Sequence, residues 1–182
     1  HGVRDGAAET TVDNAAMLAA ELAKGTTRAV SAPGREPALW ELDANLRPEG
    51  KDGALSRTLD SHIAYLERWA HDWEFQALLK ARAIAGDPCL GKEYEEAVAP
   101  FVWASAQRPG FVESVQRMRE RVTDNIPSAE VDRQIKLGPG GLRDVEFTVQ
   151  LLQLVHGRLS PAIQHRNTLA ALAALAQEGF VG

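Results

Sequence analysis

Two carboxylates, Glu41 and Asp43, are separated by one residue in the segment 38–46, which we predict to be a β-strand. Side chains alternate between the two faces of a strand, so both carboxylates fall on one face and Trp40 and Leu42 on the other. Such a pair can bind Mg²⁺, which prefers oxygen ligands and keeps several of its waters. The alternative interpretation is a solvent-facing edge strand that carries acidic residues.

A basic residue, Arg47, follows the carboxylates at the predicted end of the strand. The planar guanidinium fork matches the oxygens of a phosphate, so an arginine beside a metal site suits a phosphorylated substrate. Residues 49–53 then form a tight loop rich in glycine and charge. Residues 54–57 are predicted to return as a short second strand.

A second group with possible chemistry is the stretch 73–82, WEFQALLKAR. Trp73, Gln76 and Lys80 recur at i, i+3 and i+7, which places them on one stripe of a helix. Lys80 and Arg82 could contact phosphate while the apolar side of this helix packs. The alternative is an ordinary amphipathic helix whose long basic side chains extend into solvent.

The third group begins with the glycine-rich turn 138–141, which we predict to lead into a helix at Leu142. Four charged residues flank this turn and could form a phosphate- or metal-binding wall: Lys136, Arg143, Asp144 and Glu146. Acidic residues in a first turn also suit the positive end of the helix dipole. A glycine-rich turn alone is a weak phosphate signal, so a well-capped core helix is the alternative.

The overall composition excludes several classes of protein. The 182 residues carry a net charge of −5, with basic residues dispersed, which argues against a nucleic acid partner. The longest apolar runs are too short to span a membrane. One cysteine, Cys89, permits no intrachain disulfide and fits a cytoplasmic location. The scattered histidines predict no zinc site. The sequence begins with His1 instead of Met, which we interpret as an internal start.

Helical periodicity dominates the chain and sets the predicted fold class, α+β but mostly α. We predict helices at 11–30, 59–70, 72–84, 90–104, 110–124, 142–156 and 166–178, separated by Gly and Pro. Residues 1–10 are predicted to be loosely structured. Residues 1–58 are predicted to form one domain, a helix with two strands, and residues 59–182 a helical domain.

Taken together, the three groups resemble a known family. Residues 41–53 (ELDANLRPEGKDG) resemble the VDLRLRPxGxxG block of the glutamine-synthetase adenylyltransferase/adenylyl-removing enzymes. Residues 73–82 resemble the WExxALxKAR block of the same family, and residues 135–147 (IKLGPGGLRDVEF) its IKLGxGGIREIEF block. The order agrees, and the form of the last block is similar to the N-terminal, adenylyl-removing half of these enzymes.

This resemblance implies a polymerase-β-like nucleotidyltransferase domain, of which residues 1–58 are the C-terminal remnant, followed by a helical bundle. It implies that Asp43 matches the third carboxylate of a two-metal site that binds Mg²⁺, with ATP, ADP and phosphate as substrates or products. The protein substrate would be glutamine synthetase. In the family, inorganic phosphate takes AMP off a tyrosine of this substrate and ADP is released. Arg47, Lys80 and Arg82 would contact phosphate or nucleotide, and Lys136 and Arg143 would shape the far wall of the cleft or a domain contact.

The sequence departs from the family pattern in two ways. No Gly-Ser turn with a D-x-D pair precedes Asp43, so we expect those groups upstream of residue 1 and expect the fragment alone to be inactive. Ala44 and Asn45 stand where the family often has Leu and Arg. One alternative is a non-catalytic module that docks glutamine synthetase or the PII signal protein. A uridylyltransferase acting on PII fits the motif blocks less well.

Overall fold

The computed structural model describes residues 2–31, 41–124, 126–127 and 133–182, with the backbone alone for residues 2–13 and 122. The chain divides into two compact units, His1–Arg68 and Trp69–Gly182. Helix α2, defined below, therefore belongs to the first unit, and the predicted domain boundary at residue 58 stays a prediction. No helix in the described ranges is both long and apolar enough to cross a membrane.

Among its described residues, the first unit has two α-helices, and an irregular segment from residue 41 to residue 58 precedes the second of them. Helix α1 spans Gly2–Ser31 and so includes most of the stretch predicted to be loose. Helix α2 spans Leu59–Arg68, and its first turn is capped by Thr58, whose Oγ1 accepts the Ser61 N–H at 3.2 Å. Between them the described part of the loop contains one 3-10 helix, Gly50–Asp52.

The two predicted strands are the main error in the fold prediction. Residues 41–44 and 54–58 have no regular structure, and no residue within 2–31, 41–124 and 133–182 is in a strand. The remainder of the first predicted strand, 38–40, lies outside the described residues. A strand requires a neighbour for its backbone groups. Here the carbonyls of Ala44, Lys51 and Gly53 accept hydrogen bonds from an arginine side chain instead, so the segment closes into a loop.

All regular secondary structure in the described part of the second unit is helical. The α-helices of the described residues are α3 (Asp72–Leu78), α4 (Pro88–Ala104), α5 (Phe111–Asp124), α6 (Leu142–His156) and α7 (Thr168–Gln177). The connections include the 3-10 helices Ser105–Gln107 and Pro161–Ile163. The sequence positions of α4 to α7 agree with the predicted helices to within two residues.

Side-chain caps fix where several of these helices begin. Asp87 Oδ1 accepts the Cys89 N–H at 2.8 Å, with Pro88 in the first position of α4. Asn167 Oδ1 accepts the Ala170 N–H at 3.0 Å at the start of α7. Glu74 Oε1 accepts the N–H of His71, the residue before α3, at 2.9 Å.

Helix α6 is the centre of the second unit, because it packs against α3, α4, α5 and α7. Val149 and Leu154 are its buried apolar residues, and Ile163 and Leu175 join Val149 in one core cluster. The end of α6 approaches α4 so closely that a Cβ on Gly157 would lie 2.6 Å from the Trp103 ring. Helix α6 therefore positions charged residues of its first turns beside α5 and the end of α3.

Helix α3 ends at Leu78, six residues before its predicted end. The N–H groups of Leu79, Lys80 and Ala81 bond to carbonyls three residues back, which tightens the last turn. Ala83 N then donates to Glu95 Oε1 of α4 at 2.9 Å. Because α4 takes this donor, the chain leaves the helical path although its residues favour a helix.

Candidate functional site

The carboxylate that the sequence analysis singled out, Asp43, is exposed in the loop of the first unit. Its Oδ1 accepts the N–H of Asn45 at 2.8 Å, which is an Asx turn that fixes the side-chain direction. Glu41 is also exposed. Because the segment is irregular, the shared strand face that was predicted for the two carboxylates does not exist.

Arg47 lies inside the loop that follows Asp43. Its Nε donates to Gly53 O, its Nη1 to Ala44 O and its Nη2 to Lys51 O, each at 2.8 Å. One side chain thus joins carbonyls from both ends of the loop. The phosphate contact predicted for Arg47 stays a prediction, and the structure shows which groups this arginine already binds.

The same loop is tied to helix α2. Glu49 has a left-handed backbone, with φ of 63°, and its N–H donates to the Tyr65 hydroxyl at 3.4 Å. Arg57 forms an ion pair with Glu49 at 2.6 Å and lies 5.4 Å from the centroid of the Tyr65 ring. These contacts hold the loop on α2, so that Asp43 is presented from a supported turn.

The donor set of this loop fits a magnesium ion that is shared with a substrate. Mg²⁺ is commonly bound by one or two carboxylates together with substrate phosphates and water. Asp43 supplies exposed carboxylate oxygens, and Glu41 lies two residues away. Among the described residues, no three side chains of His, Cys, Asp or Glu are grouped as a metal site, so these carboxylates do not form a complete protein cage.

In the second unit the structure brings Lys80 and Glu146 together from two different motifs. Lys80 Nζ lies 2.5 Å from Glu146 Oε1 and donates to Thr168 Oγ1 at 2.8 Å. Arg143 Nε is 4.0 Å from the other oxygen of Glu146, and its guanidinium lies over the Phe147 ring. Lys80, which was predicted to contact phosphate, and Arg143, which was predicted to shape the far wall, are therefore neighbours of one carboxylate.

A buried amide pair lies beside these charges. Gln76 Nε2 donates to Gln150 Oε1 at 2.8 Å, and both side chains are buried between α3 and α6. Gln150 Nε2 in turn lies 3.4 Å from Glu146 Oε1. The residue pattern of α3 marked Gln76 but gave no sign of its partner, because 74 residues separate the two glutamines.

The glycine-rich turn uses its own donors internally. Leu142 N donates to Ile135 O at 3.0 Å and Arg143 N to Lys136 O at 2.9 Å, so the first N–H groups of α6 are occupied. A Cβ on Gly141 would lie 2.5 Å from Ile135 O, which requires glycine at this close approach. The turn thus has the hydrogen bonding of a helix cap, whereas a phosphate cradle presents unoccupied N–H groups.

Asp144 links this turn to α5. One carboxylate oxygen accepts the Gly140 N–H at 2.7 Å, and the other pairs with Arg119 Nε. Arg119 was not identified from the sequence, since an arginine on an amphipathic helix resembles any solvated residue. The two remaining basic residues of the predicted site, Arg82 and Lys136, are exposed and form no ion pair with any described residue.

A cavity of about 420 Å³ lies between the end of α3, α4 and residues 164–166. Its wall mixes apolar side chains such as Val98 and Trp103 with polar ones, among them Glu95 and Arg166, which are paired at 2.6 Å. The Ala83 N–H and the Arg166 guanidinium lower the pKa of Glu95, and burial raises the pKa of Tyr94. No motif in the sequence pointed to this cavity.

Comparison with known proteins identifies related sequences along nearly the whole chain. A family model described as Glutamate-ammonia ligase adenylyltransferase matches residues 2–97, and one described as GlnD PII-uridylyltransferase matches residues 111–182. A bifunctional glutamine synthetase adenylyltransferase/adenylyl-removing enzyme from Leifsonia xyli subsp. xyli is 62% identical over 99% of the chain, and one from Streptomyces coelicolor is 60% identical over 92%. The chain spans 18% and 17% of these two relatives.

Proposed function

The chain belongs to the glutamate-ammonia ligase adenylyltransferase family, and from this premise we propose that it is part of an enzyme that adds and removes AMP on a tyrosine of glutamine synthetase. Because the chain spans less than a fifth of its relatives, this activity is assigned to the complete protein. Within it, we assign the chain to the adenylyl-removing half, on the form of the block at residues 135–147.

The reaction proposed for this half is phosphorolysis. An oxygen of inorganic phosphate attacks the phosphorus of the tyrosine-bound AMP, the bond from phosphorus to the tyrosine oxygen breaks, and ADP forms. The tyrosine oxygen regains a proton. No covalent step on the protein is required, so catalysis depends on positioning the phosphates and stabilising their charge.

The observation that supports this proposal best is the exposed, oriented carboxylate of Asp43 inside the matching block. Asp43, with Glu41, would hold Mg²⁺, which when bound supplies positive charge to the attacking and leaving oxygens. The Asn45 N–H keeps the Asp43 carboxylate directed as the Asx turn requires. Asp43 thus contributes one of several ligands, and the others are expected from the Gly-Ser and D-x-D segments of the complete protein.

The basic residues divide into two groups in this proposal. Arg82 and Lys136 are exposed and suited to contact phosphate or nucleotide directly. Lys80 and Arg143 already neighbour Glu146, so a phosphate would compete with that carboxylate for them. We therefore propose that the ion pair of Lys80 with Glu146 serves mainly to join the end of α3 to α6, while Arg143 pairs with Glu146 within α6.

The test is Mg²⁺-dependent release of ADP from adenylylated glutamine synthetase by the complete enzyme, with and without phosphate. Asp43→Asn keeps an oxygen for the Asn45 N–H but removes the charged ligand. Loss of even an outer-shell partner of a metal costs about 10–100-fold, so we expect Asp43→Asn to lower phosphorolysis by at least about 100-fold. The control is Asp52→Asn, an exposed carboxylate of the same loop. If Asp43→Asn releases ADP as fast as the active Asp52→Asn control, Asp43 is not a ligand of the catalytic metal.

A docking module for glutamine synthetase or for the PII protein is the second candidate. It is favoured by the match of residues 111–182 to a model named for a PII-uridylyltransferase, and by exposed apolar side chains on the second unit, such as Leu159 and Leu169. Calorimetric titration of the chain with each purified protein tests this role. Tight binding, together with an active Asp43→Asn enzyme, would favour docking over catalysis.

A further inference from the structure

We infer that Arg47 acts as a positioning residue, which holds the turn that presents Asp43, and that it is not a ligand of the substrate phosphate. This inference rests on the proposed role of Asp43 as a ligand of Mg²⁺. It differs from the role that the motif alone suggests, in which an arginine next to a metal site binds phosphate. The difference follows from the contacts that the guanidinium makes.

The guanidinium of Arg47 is engaged inside its own loop. An arginine has five N–H donors and no acceptor. Three of these donors, one on each nitrogen, bond to the carbonyls of Gly53, Ala44 and Lys51 at 2.8 Å. A bidentate phosphate needs two N–H groups of the same fork. One N–H on each terminal nitrogen remains, but the fork that includes Nε is taken, so a phosphate bound through that fork would displace the contact to Gly53 O.

The link from Arg47 to Asp43 runs through a single peptide unit. The Ala44 carbonyl, which accepts from Nη1 of Arg47, and the Asn45 N–H belong to the same planar peptide group. That N–H is the donor to Asp43 Oδ1 at 2.8 Å. By fixing the carbonyl oxygen, the guanidinium fixes the plane of the peptide and hence the direction of the N–H that orients the carboxylate.

At the other end of the loop, Gly53 also depends on a close backbone contact. A Cβ on Gly53 would lie 2.0 Å from Pro48 O, so any side chain at this position forces the backbone apart. Gly53 also supplies the carbonyl that accepts from Arg47 Nε. Gly53→Ala therefore disturbs the same loop without changing the charge or the donors of Arg47.

The variants Arg47→Lys and Gly53→Ala together distinguish a positioning role of Arg47 from a phosphate-binding role. The complete enzyme is prepared with Arg47→Lys, which keeps the charge but loses the fork, and with Gly53→Ala. The control is Arg68→Lys, an exposed arginine at the end of α2. Three quantities are measured: amide hydrogen exchange of peptides covering residues 44–57, the Mg²⁺ concentration for half-maximal phosphorolysis, and the KM for phosphate.

We expect the same pattern from Arg47→Lys and Gly53→Ala. Exchange rises at the loop amides, including Gly50 N and Gly53 N, which bond within the loop. The half-maximal Mg²⁺ concentration rises by about tenfold, as for loss of an outer-shell partner. The KM for phosphate stays within about twofold, because no contact to that substrate is lost. Arg68→Lys changes none of the three.

Each other pattern overturns the inference. A KM for phosphate that rises in Arg47→Lys but not in Gly53→Ala identifies Arg47 as a phosphate ligand. Faster loop exchange with an unchanged Mg²⁺ requirement shows that the loop does not position the metal ligand. These patterns would refute only the role inferred for Arg47. An active Asp43→Asn enzyme would instead refute the proposed role of Asp43 as a metal ligand, so the two failures can be told apart. If Gly53→Ala does not fold, Arg47→Lys against Arg68→Lys still decides through exchange and KM.

Discussion

Asp144 offers a test of whether the glycine-rich turn is a structural cap or a ligand site. Its carboxylate accepts from the backbone of Gly140 and pairs with Arg119 of α5. Asp144→Asn keeps an oxygen for Gly140 but removes the charge that faces Arg119. The variant therefore removes one interaction between α5 and α6 and leaves the turn with its acceptor.

The magnitude follows from burial and charge. The side chains of Arg119 and Asp144 are 18% and 28% exposed, so this pair is less hydrated than a surface ion pair. The median contribution of a surface ion pair to stability is about 0–1 kcal/mol. A hydrogen bond to a charged group contributes about 1.5–3 kcal/mol. We expect Asp144→Asn to lower the free energy of unfolding by about 2 kcal/mol, or Tm by about 8 °C in a unit of roughly a hundred residues.

Urea unfolding followed by tryptophan fluorescence measures this change, since Trp73 and Trp103 both belong to the second unit. The control is Asp124→Asn, an exposed carboxylate at the end of α5 that should stay within about 0.5 kcal/mol of the parent. A double-mutant cycle with Arg119→Met assigns the loss to this pair. The reasoning is refuted if Asp144→Asn is as stable as the control. Unchanged stability with lost phosphorolysis would instead favour the predicted ligand-binding wall.

Two further predictions concern the second unit. Leu154 is fully buried, so Leu154→Ala should lower the free energy of unfolding by about 2–5 kcal/mol. A loss below about 1 kcal/mol in the same urea assay would place this side chain outside the core. The pKa of Glu95 is lowered in the folded state by Ala83 N and Arg166, so its stabilisation is present above its ordinary pKa of 4.5 and is lost as the pH falls through the lower, folded value. Glu95→Gln should therefore reduce the stability difference between pH 7 and pH 3, and an unchanged pH profile would count against the contacts described for Glu95.

The helices of the second unit were predictable because each carries a local periodic pattern and a local start or stop signal. Pro88 at the start of α4 and the glycine turn before α6 are examples, and the observed positions agree. Helix α3 shows the limit of local signals, because its end depends on a hydrogen bond from Ala83 to Glu95, which lies on another helix.

The strands were predicted wrongly because alternation of polar and apolar residues shows only which faces a strand would have. It does not show whether a neighbouring strand exists. In this loop the backbone carbonyls bond to Arg47 instead. The candidate site shows the same difference between local patterns and distant contacts. The motifs singled out Lys80 and Glu146 separately. Their contact at 2.5 Å joins residues that are too far apart in sequence for a pattern to reveal. The roles of the marked residues toward phosphate and metal remain predictions.

The contact between α3 and α6 combines a neutral centre with a charged margin, and this has a consequence for how the helices respond to their surroundings. The Gln76–Gln150 amides are buried and do not titrate, whereas Lys80 and Glu146 lie at the margin, about a third exposed. Dissolved salt screens the marginal charges but not the buried amides. Raising the ionic strength should therefore weaken the ion pair of Lys80 with Glu146, while the buried amide pair preserves the rotational alignment of the two helices.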